Sequence, residues 1–246
     1  MEVKMPSSQA DASPELLEEY QQWLALGEGG IAYNWEGFMI CKHFEKTMAR
    51  DDTTDISLYD SPEVHAPGWE ESAGTHREAA QTSFLSRPLP ERDSPRARAK
   101  PFIFPQRERN EKEPQDEQIR AAYQSAVSRL SEVNDDLHWK TSVLERHGPA
   151  LFLQDRLLPV TPLAKPTQGE ICHIHRSDLS AHVTLSFPDA KEVLQKGWGE
   201  RHRLSGTERL HLGYTMLCVP RSVSEVDVFV SVLQAGIDYM KSNKYK

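Results

Sequence analysis

A chain of 246 residues is long enough for one large domain or two small ones, and a hydrophobic content of 38% is low for a wholly packed protein of that length. A formal net charge of -8 argues against general electrostatic binding of nucleic acid, which needs a concentrated basic surface. Cys41, Cys172 and Cys218 are odd in number and set far apart in apolar surroundings, which fits reduced thiols and not a disulfide framework.

Residues 1–12 show neither the basic start and apolar run of a signal peptide nor the Arg-rich pattern of a transit peptide. No apolar run reaches bilayer-spanning length, so a soluble protein with no membrane partner is expected. Ser13-Pro14-Glu15 reads as a helix start, and Leu16, Leu17, Tyr20, Trp23 and Leu24 recur at helical spacing until Gly27. A second helix is predicted from about Trp35 to Met48, with Phe38, Cys41, Phe44 and Met48 on one side. Three regions follow from composition: an N-terminal helical segment at 1–60, a Pro- and charge-rich loop at 61–114, partly disordered and assigned no chemistry, and an α+β domain at 115–246.

Order is expected to return with a helix over Gln115–Val133, whose apolar residues face one way between charges. Extended segments at Thr141–Arg146 and Ala150–Gln154 flank the turn signal His147-Gly148-Pro149. Glu170–His175 and Ala181–Phe187 then alternate with the period of strands, joined by the polar Arg176–Ser180. Placing both apolar sets on one face predicts Ile174 opposite Val183 and Cys172 opposite Leu185. That register puts His175 opposite His182 and His173 opposite Thr184 on the other face. Such a face is either the solvated side of a sheet or a site. As a site, His173, His175 and His182 could hold zinc, iron or manganese, with Glu170 less well placed, or could act as metal-free acid and base. Spacing alone does not choose.

Downstream, Asp189 and Glu192 read as a capping box for a short helix that Gly197 ends. Trp198, Glu200 and His202 fall in a turn-rich loop, where the indole either plugs the core or walls a pocket. Leu210–Val219 reads as a strand with Leu212, Tyr214, Met216 and Cys218 on one side, and Ser222 with Glu225 caps a last helix buried along Val226, Phe229, Val230, Leu233, Ile237 and Met240. Arg221, between the two, either binds a carboxylate or enolate or anchors a surface acid. The predicted fold is α+β, a small antiparallel sheet with a central His-bearing hairpin and helices on its apolar face.

The runs Glu170-Ile171-Cys172-His173-Ile174-His175, Lys191-Glu192-Val193-Leu194, Lys196-Gly197-Trp198-Gly199-Glu200-Arg201-His202-Arg203-Leu204-Ser205-Gly206 and Pro220-Arg221 resemble the luciferases of bioluminescent mushrooms and the wider family of fungal luciferase-like proteins. The likeness is dense from about Gly169 to Met240. It implies an oxygenase of secondary metabolism acting on a 3-hydroxyhispidin-type hydroxy-pyrone or a related polyketide or phenolic compound. O2 is then the co-substrate and no organic cofactor is required, a divalent metal on His173, His175 and His182 being the alternative. Carried over by position, His173, His175, His182 and His202 become candidates for base or ligand, Trp198 for stacking and Arg221 for the oxyanion; Glu200, Tyr214 and Thr184 are further candidate substrate contacts. Cys172, Arg176 and the insertion from His65 to Arg98 depart from the light-emitting members. So does the lack of their N-terminal hydrophobic anchor, which points to a cytoplasmic protein. A noncatalytic small-molecule-binding protein is the reading from a different class.

Overall fold

The first two helices begin where the sequence supplies caps. Ser13 Oγ accepts from the Leu16 N–H and Asn34 Oδ1 from the Gly37 N–H, starting α1 (Pro14–Leu24) and α2 (Trp35–Thr47). Their facing sides bury Tyr20, Trp23, Phe38 and Cys41, with the Trp23 and Phe38 rings 5.8 Å apart. The computed structural model describes residues 6, 8–93, 102–107, 116–175 and 178–243. Arg176 and parts of the predicted 61–114 loop therefore lie outside the described residues. Within that loop stand two short helices, α3 (Pro62–His65) and α4 (Gly74–Ala80).

Beyond it come α5 (Glu117–Glu132), β1 (Leu137–Thr141), β2 (Pro149–Leu153), β3 (Glu170–Ile174), β4 (Ala181–Thr184), α6 (Phe187–Lys196), β5 (Gly199–Arg201), β6 (Tyr214–Leu217) and α7 (Val223–Ser242). The strands form one sheet in the order β1-β2-β3-β4-β6-β5, with every neighbouring pair antiparallel. The fold is α+β, with the histidine-bearing hairpin β3–β4 at the centre of the sheet. On its apolar face α7 lies against β3 and β4, α6 against β5, and α5 against α7 and β1. Val226, Phe229, Leu233, Ile237 and Met240 of α7 are buried there, while Val230, expected in the same stripe, is only half-buried. At about 1.5–3 kcal/mol per large apolar side chain, this stripe is a principal source of the domain's stability. Gly236 lets the helix approach closely, because a Cβ there would lie 2.5 Å from Val183 Cγ2 and 3.0 Å from the Thr184 carbonyl oxygen.

The opposite face is covered as well. A second core unites Tyr20, Trp23 and Phe38 with Phe102, Ile103, Leu204, Leu210 and Tyr214. Every residue of β3 and β4 is consequently buried, so the alternation that reads as half-solvated in the sequence marks two differently packed faces.

Several local expectations change. The hairpin register is Cys172↔Val183, His173↔His182 and Ile174↔Ala181, two residues from the predicted one. A shift of two preserves which side chains share a face, and the tight connection fixes it: the His175 N–H donates to the Ser180 carbonyl at 2.8 Å and the Leu179 N–H to the His175 carbonyl at 2.9 Å. β1 ends where an extended segment was expected, because residues 142–148 form the turn and Gly148 has φ 73. Ser186, not Asp189, stands at the start of α6, since the Asp189 carboxylate accepts from Ser83 Oγ and the Phe84 N–H and the Glu192 carboxylate from the Leu89 N–H. The predicted loop at Gly199 is strand β5, where a Cβ would lie 2.2 Å from the Met216 carbonyl oxygen. Residues 210–213 turn into β6, so Leu212 joins the helical core while Tyr214 joins the other. Among the described residues no helix is long and apolar enough to cross a membrane.

Candidate functional site

The sheet brings the three hairpin histidines together. His173 and His182 are direct cross-strand partners, and His175 follows at the end of β3. Their ring centroids are 4.8 Å (His175–His182), 5.1 Å (His173–His182) and 5.2 Å (His173–His175) apart. All three are no more than 3% exposed. Uncompensated burial of imidazoles is costly, so each should have a partner at each nitrogen.

Those partners come from distant segments. His173 Nδ1 lies 2.6 Å from Glu170 Oε1, and its Nε2 lies 3.3 Å from Glu145 Oε2. Glu170 also accepts from Ser142 Oγ and from the Val143 and Leu144 N–H groups, which folds the β1–β2 turn over and sets Glu145 beside the imidazoles. The Glu145 carboxylate forms a buried ion pair with Arg107, whose Nη2 also donates to the Glu28 carbonyl at 3.1 Å. Ser180 Oγ donates its proton to Asp178 at 2.8 Å, so at 2.7 Å from His175 Nδ1 it accepts, and that nitrogen carries hydrogen. Gln106 Nε2 donates to the Arg201 carbonyl at 3.2 Å, which turns Gln106 Oε1 toward His182. His182 Nε2, 3.2 Å away, therefore donates, and His182 Nδ1 carries the lone pair. That lone pair faces His175 Nε2 at 3.0 Å and His173 Nε2 at 3.2 Å.

The environments split the titration of the three rings. For His173, burial alone would lower the pKa, but the hydrogen bonds and charges of Glu145 and Glu170 override it and raise it to about 9. His175 is held well below its usual range by burial and then by Arg107 and the neighbouring imidazoles. His182 is held low by burial and then by His173, His202 and Arg107. Burial would raise Glu145, yet Arg107 and His173 lower it to about 2. With no ion present, the cluster thus carries a cationic His173 between carboxylates and two neutral imidazoles.

Beside this cluster opens a cavity of about 470 Å³, of a size suited to a small-molecule ligand. Glu145, His182 and Gln106 line it together with the aromatic side chains of Phe44, Phe104 and Tyr214. Tyr214 is stacked on His182, ring centroids 5.0 Å apart and 3° from parallel. His202 also lines the cavity, its ring 5.4 Å from that of His182. Its Nδ1 accepts from the Leu204 N–H and its Nε2 donates to the Ile103 carbonyl at 3.1 Å, so both nitrogens are occupied and the ring serves as a wall. Burial lowers its pKa to about 3, which keeps it neutral.

The remaining sequence-derived candidates lie elsewhere. β5 is separated from β4 by β6, which keeps Trp198 away from the histidines. Its indole donates to the Pro90 carbonyl at 2.7 Å, beneath the Arg92 guanidinium, in the core on the helical face. Glu200 accepts from Thr53 Oγ1 at 2.7 Å. Thr184 pairs with Tyr214 in the sheet, and among the described residues its buried hydroxyl has no hydrogen-bond partner. Arg221 binds Glu225, four residues on, and the Asp93 carbonyl at the surface. Glu145, Gln106 and Arg107 were not singled out by sequence. The apolar run Phe102-Ile103-Phe104 inside a charged stretch was the available signal that this segment docks on a core. Glu145 offered none beyond its nearness to a turn.

Aromatic walls around a ligand-sized cavity, with buried imidazoles and a carboxylate at its edge, define a small-molecule site of the kind that moves protons or holds a metal. A family model described as Luciferase domain matches residues 168–236. The chain is 28% identical to the luciferase of Armillaria mellea over 94% of its own length and 84% of that protein's. It is 28% identical to the luciferase of Neonothopanus nambi over 95% of its length and 84% of that protein's. No solved structure matches it. Residues 168–236 thus resemble a Luciferase domain, and most of the chain is similar to these fungal luciferases.

Proposed function

We propose that the protein is a luciferase-like oxygenase that uses O2 on an enolisable hydroxy-pyrone of the 3-hydroxyhispidin type or a related polyketide or phenolic compound. The observation that supports this reading is the shared wall: His182 and Glu145 belong both to the buried cluster and to the aromatic-sided cavity. A flat conjugated ring lies against Tyr214 or Phe104. The enolic proton passes to His182 Nδ1, the nitrogen with the lone pair, and the charges of Arg107 and protonated His173 stabilise the enolate. The enolate carbon donates an electron pair to O2 and forms a C–O bond, reducing O2 to the peroxide level without an external reductant. The peroxide closes on the lactone carbonyl; O–O cleavage and loss of CO2 keep both oxygen atoms in the products, and the proton returns from His182.

Purified protein given 3-hydroxyhispidin and related pyrones should take up one O2 for each CO2 released, with or without light. His182→Asn should lower kcat by about 10²–10⁴-fold while the fold is retained. If no pyrone, polyketide or phenolic compound supports O2 uptake, CO2 release or light, the reading is wrong.

A further inference from the structure

The donor pattern of the cluster carries an inference that goes beyond this reaction and does not depend on it. We propose that Glu145, His173, His175 and His182 form a binding site for one divalent first-row transition-metal ion. One ligand atom from each residue lies within 4.8 Å of all the others. The closest contacts are 3.0 Å between His175 Nε2 and His182 Nδ1, 3.2 Å between His182 Nδ1 and His173 Nε2, and 3.3 Å between His173 Nε2 and Glu145 Oε2. An ion with bonds of about 2.0–2.2 Å holds neighbouring donors roughly 3.0–3.5 Å apart.

Each imidazole is also prepared from outside. The outer nitrogen of His173 faces Glu170, that of His175 faces Ser180, and that of His182 faces Gln106. Outer partners of this kind fix the tautomer and aim the other nitrogen inward. Proton accounting leaves one contact unexplained without an ion. Ser180 has given its proton to Asp178 and Gln106 has given its amide hydrogen to the Arg201 carbonyl, so His175 Nε2 and His182 Nδ1 confront each other at 3.0 Å as two acceptors. A cation between them resolves the conflict. Three imidazoles and one carboxylate suit iron, zinc, nickel, cobalt or copper, whereas magnesium and calcium require an oxygen shell. An ion there takes up the His182 lone pair that the metal-free mechanism gives to the substrate proton, so metal content also decides between the two ways of running the reaction.

The test uses the untagged full chain, stripped with chelator and titrated separately with Zn(II), Co(II), Mn(II) and anaerobic Fe(II), with Mg(II) and Ca(II) as competitors. One ion per chain should bind, and Co(II) should develop visible d–d bands that excess Mg(II) or Ca(II) does not remove. His173→Ala and His175→Ala should abolish those bands. Ser180→Ala and Gln106→Leu, which touch only outer nitrogens, should weaken binding about 10–100-fold. Substoichiometric binding of every ion by folded wild-type protein overturns the proposal, as does unchanged Co(II) binding by folded His173→Ala. Because these readouts involve no substrate, an inactive but metal-binding protein would overturn the oxygenase reading alone.

Discussion

Gln106 decides where the proton of His182 sits. Its amide is oriented by the Arg201 carbonyl, so the influence on the imidazole originates in β5, beyond the hairpin. Arg107, the next residue, neutralises Glu145 in a buried ion pair. Arg107→Leu should therefore cost about 3–5 kcal/mol in denaturant unfolding, because it removes one partner of a buried ion pair and leaves Glu145 to His173. Trp198→Phe should cost about 1 kcal/mol, the value of its bond to the Pro90 carbonyl, and Arg221→Ala less. Steady-state kinetics should find both variants within about twofold of wild type, since neither side chain lines the cavity. The histidine face was legible in sequence because strand parity survives a two-residue error in register. Glu145 and Gln106 were not, because their nearness to the histidines is made by turns and amide orientation, which periodicity does not encode.

Among the elements, α7 shows how sequence pattern becomes stability. Its stripe and its Ser222 cap were both readable, since a long helix writes its buried face at regular intervals. Its contact with β4 was not, because it rests on a missing side chain at Gly236. Gly236→Ala should lower stability by about 1–3 kcal/mol, as the new methyl meets stiff Val183 and the Thr184 carbonyl; thermal unfolding would measure it. At the start of the helix, burial raises the Glu225 carboxyl, but hydrogen bonds from Arg221 and Arg92 outweigh it and hold the group below its usual range. A depressed carboxylate stabilises the fold above its unfolded pKa and loses that contribution as pH falls through the folded value. Glu225→Gln should thus be less stable than wild type near neutrality, and the gap should close in acid unfolding titrations. The short strands were harder to bound than the helices, because a few residues buried on both faces leave no polar edge to mark their ends.

At the scale of the molecule the sheet separates two cores with different duties. The helical core under α7 holds the hairpin in place, and the aromatic core of α1, α2 and residues 102–104 closes over the histidines. Leu233→Ala should cost about 2–5 kcal/mol with KM preserved in the folded fraction. Phe38→Ala, costing about 3–5 kcal/mol, should also raise KM, because α2 supplies Ile40 and Phe44 to the cavity wall. Composition indicated a packed domain and a charged middle stretch, but not that part of this stretch lies against the site.

The segment matched as Luciferase domain, residues 168–236, contains the hairpin, His202 and Tyr214. It omits Phe44, Phe104, Gln106, Arg107 and Glu145. Transplanted into a relative, that segment would bring the imidazoles with it but take its pocket shape and its counter-charge from the recipient. Substrate preference in such chimeras should follow the host. Changes of specificity within this architecture are therefore open to residues far outside the recognisable domain, and the histidines themselves need not change.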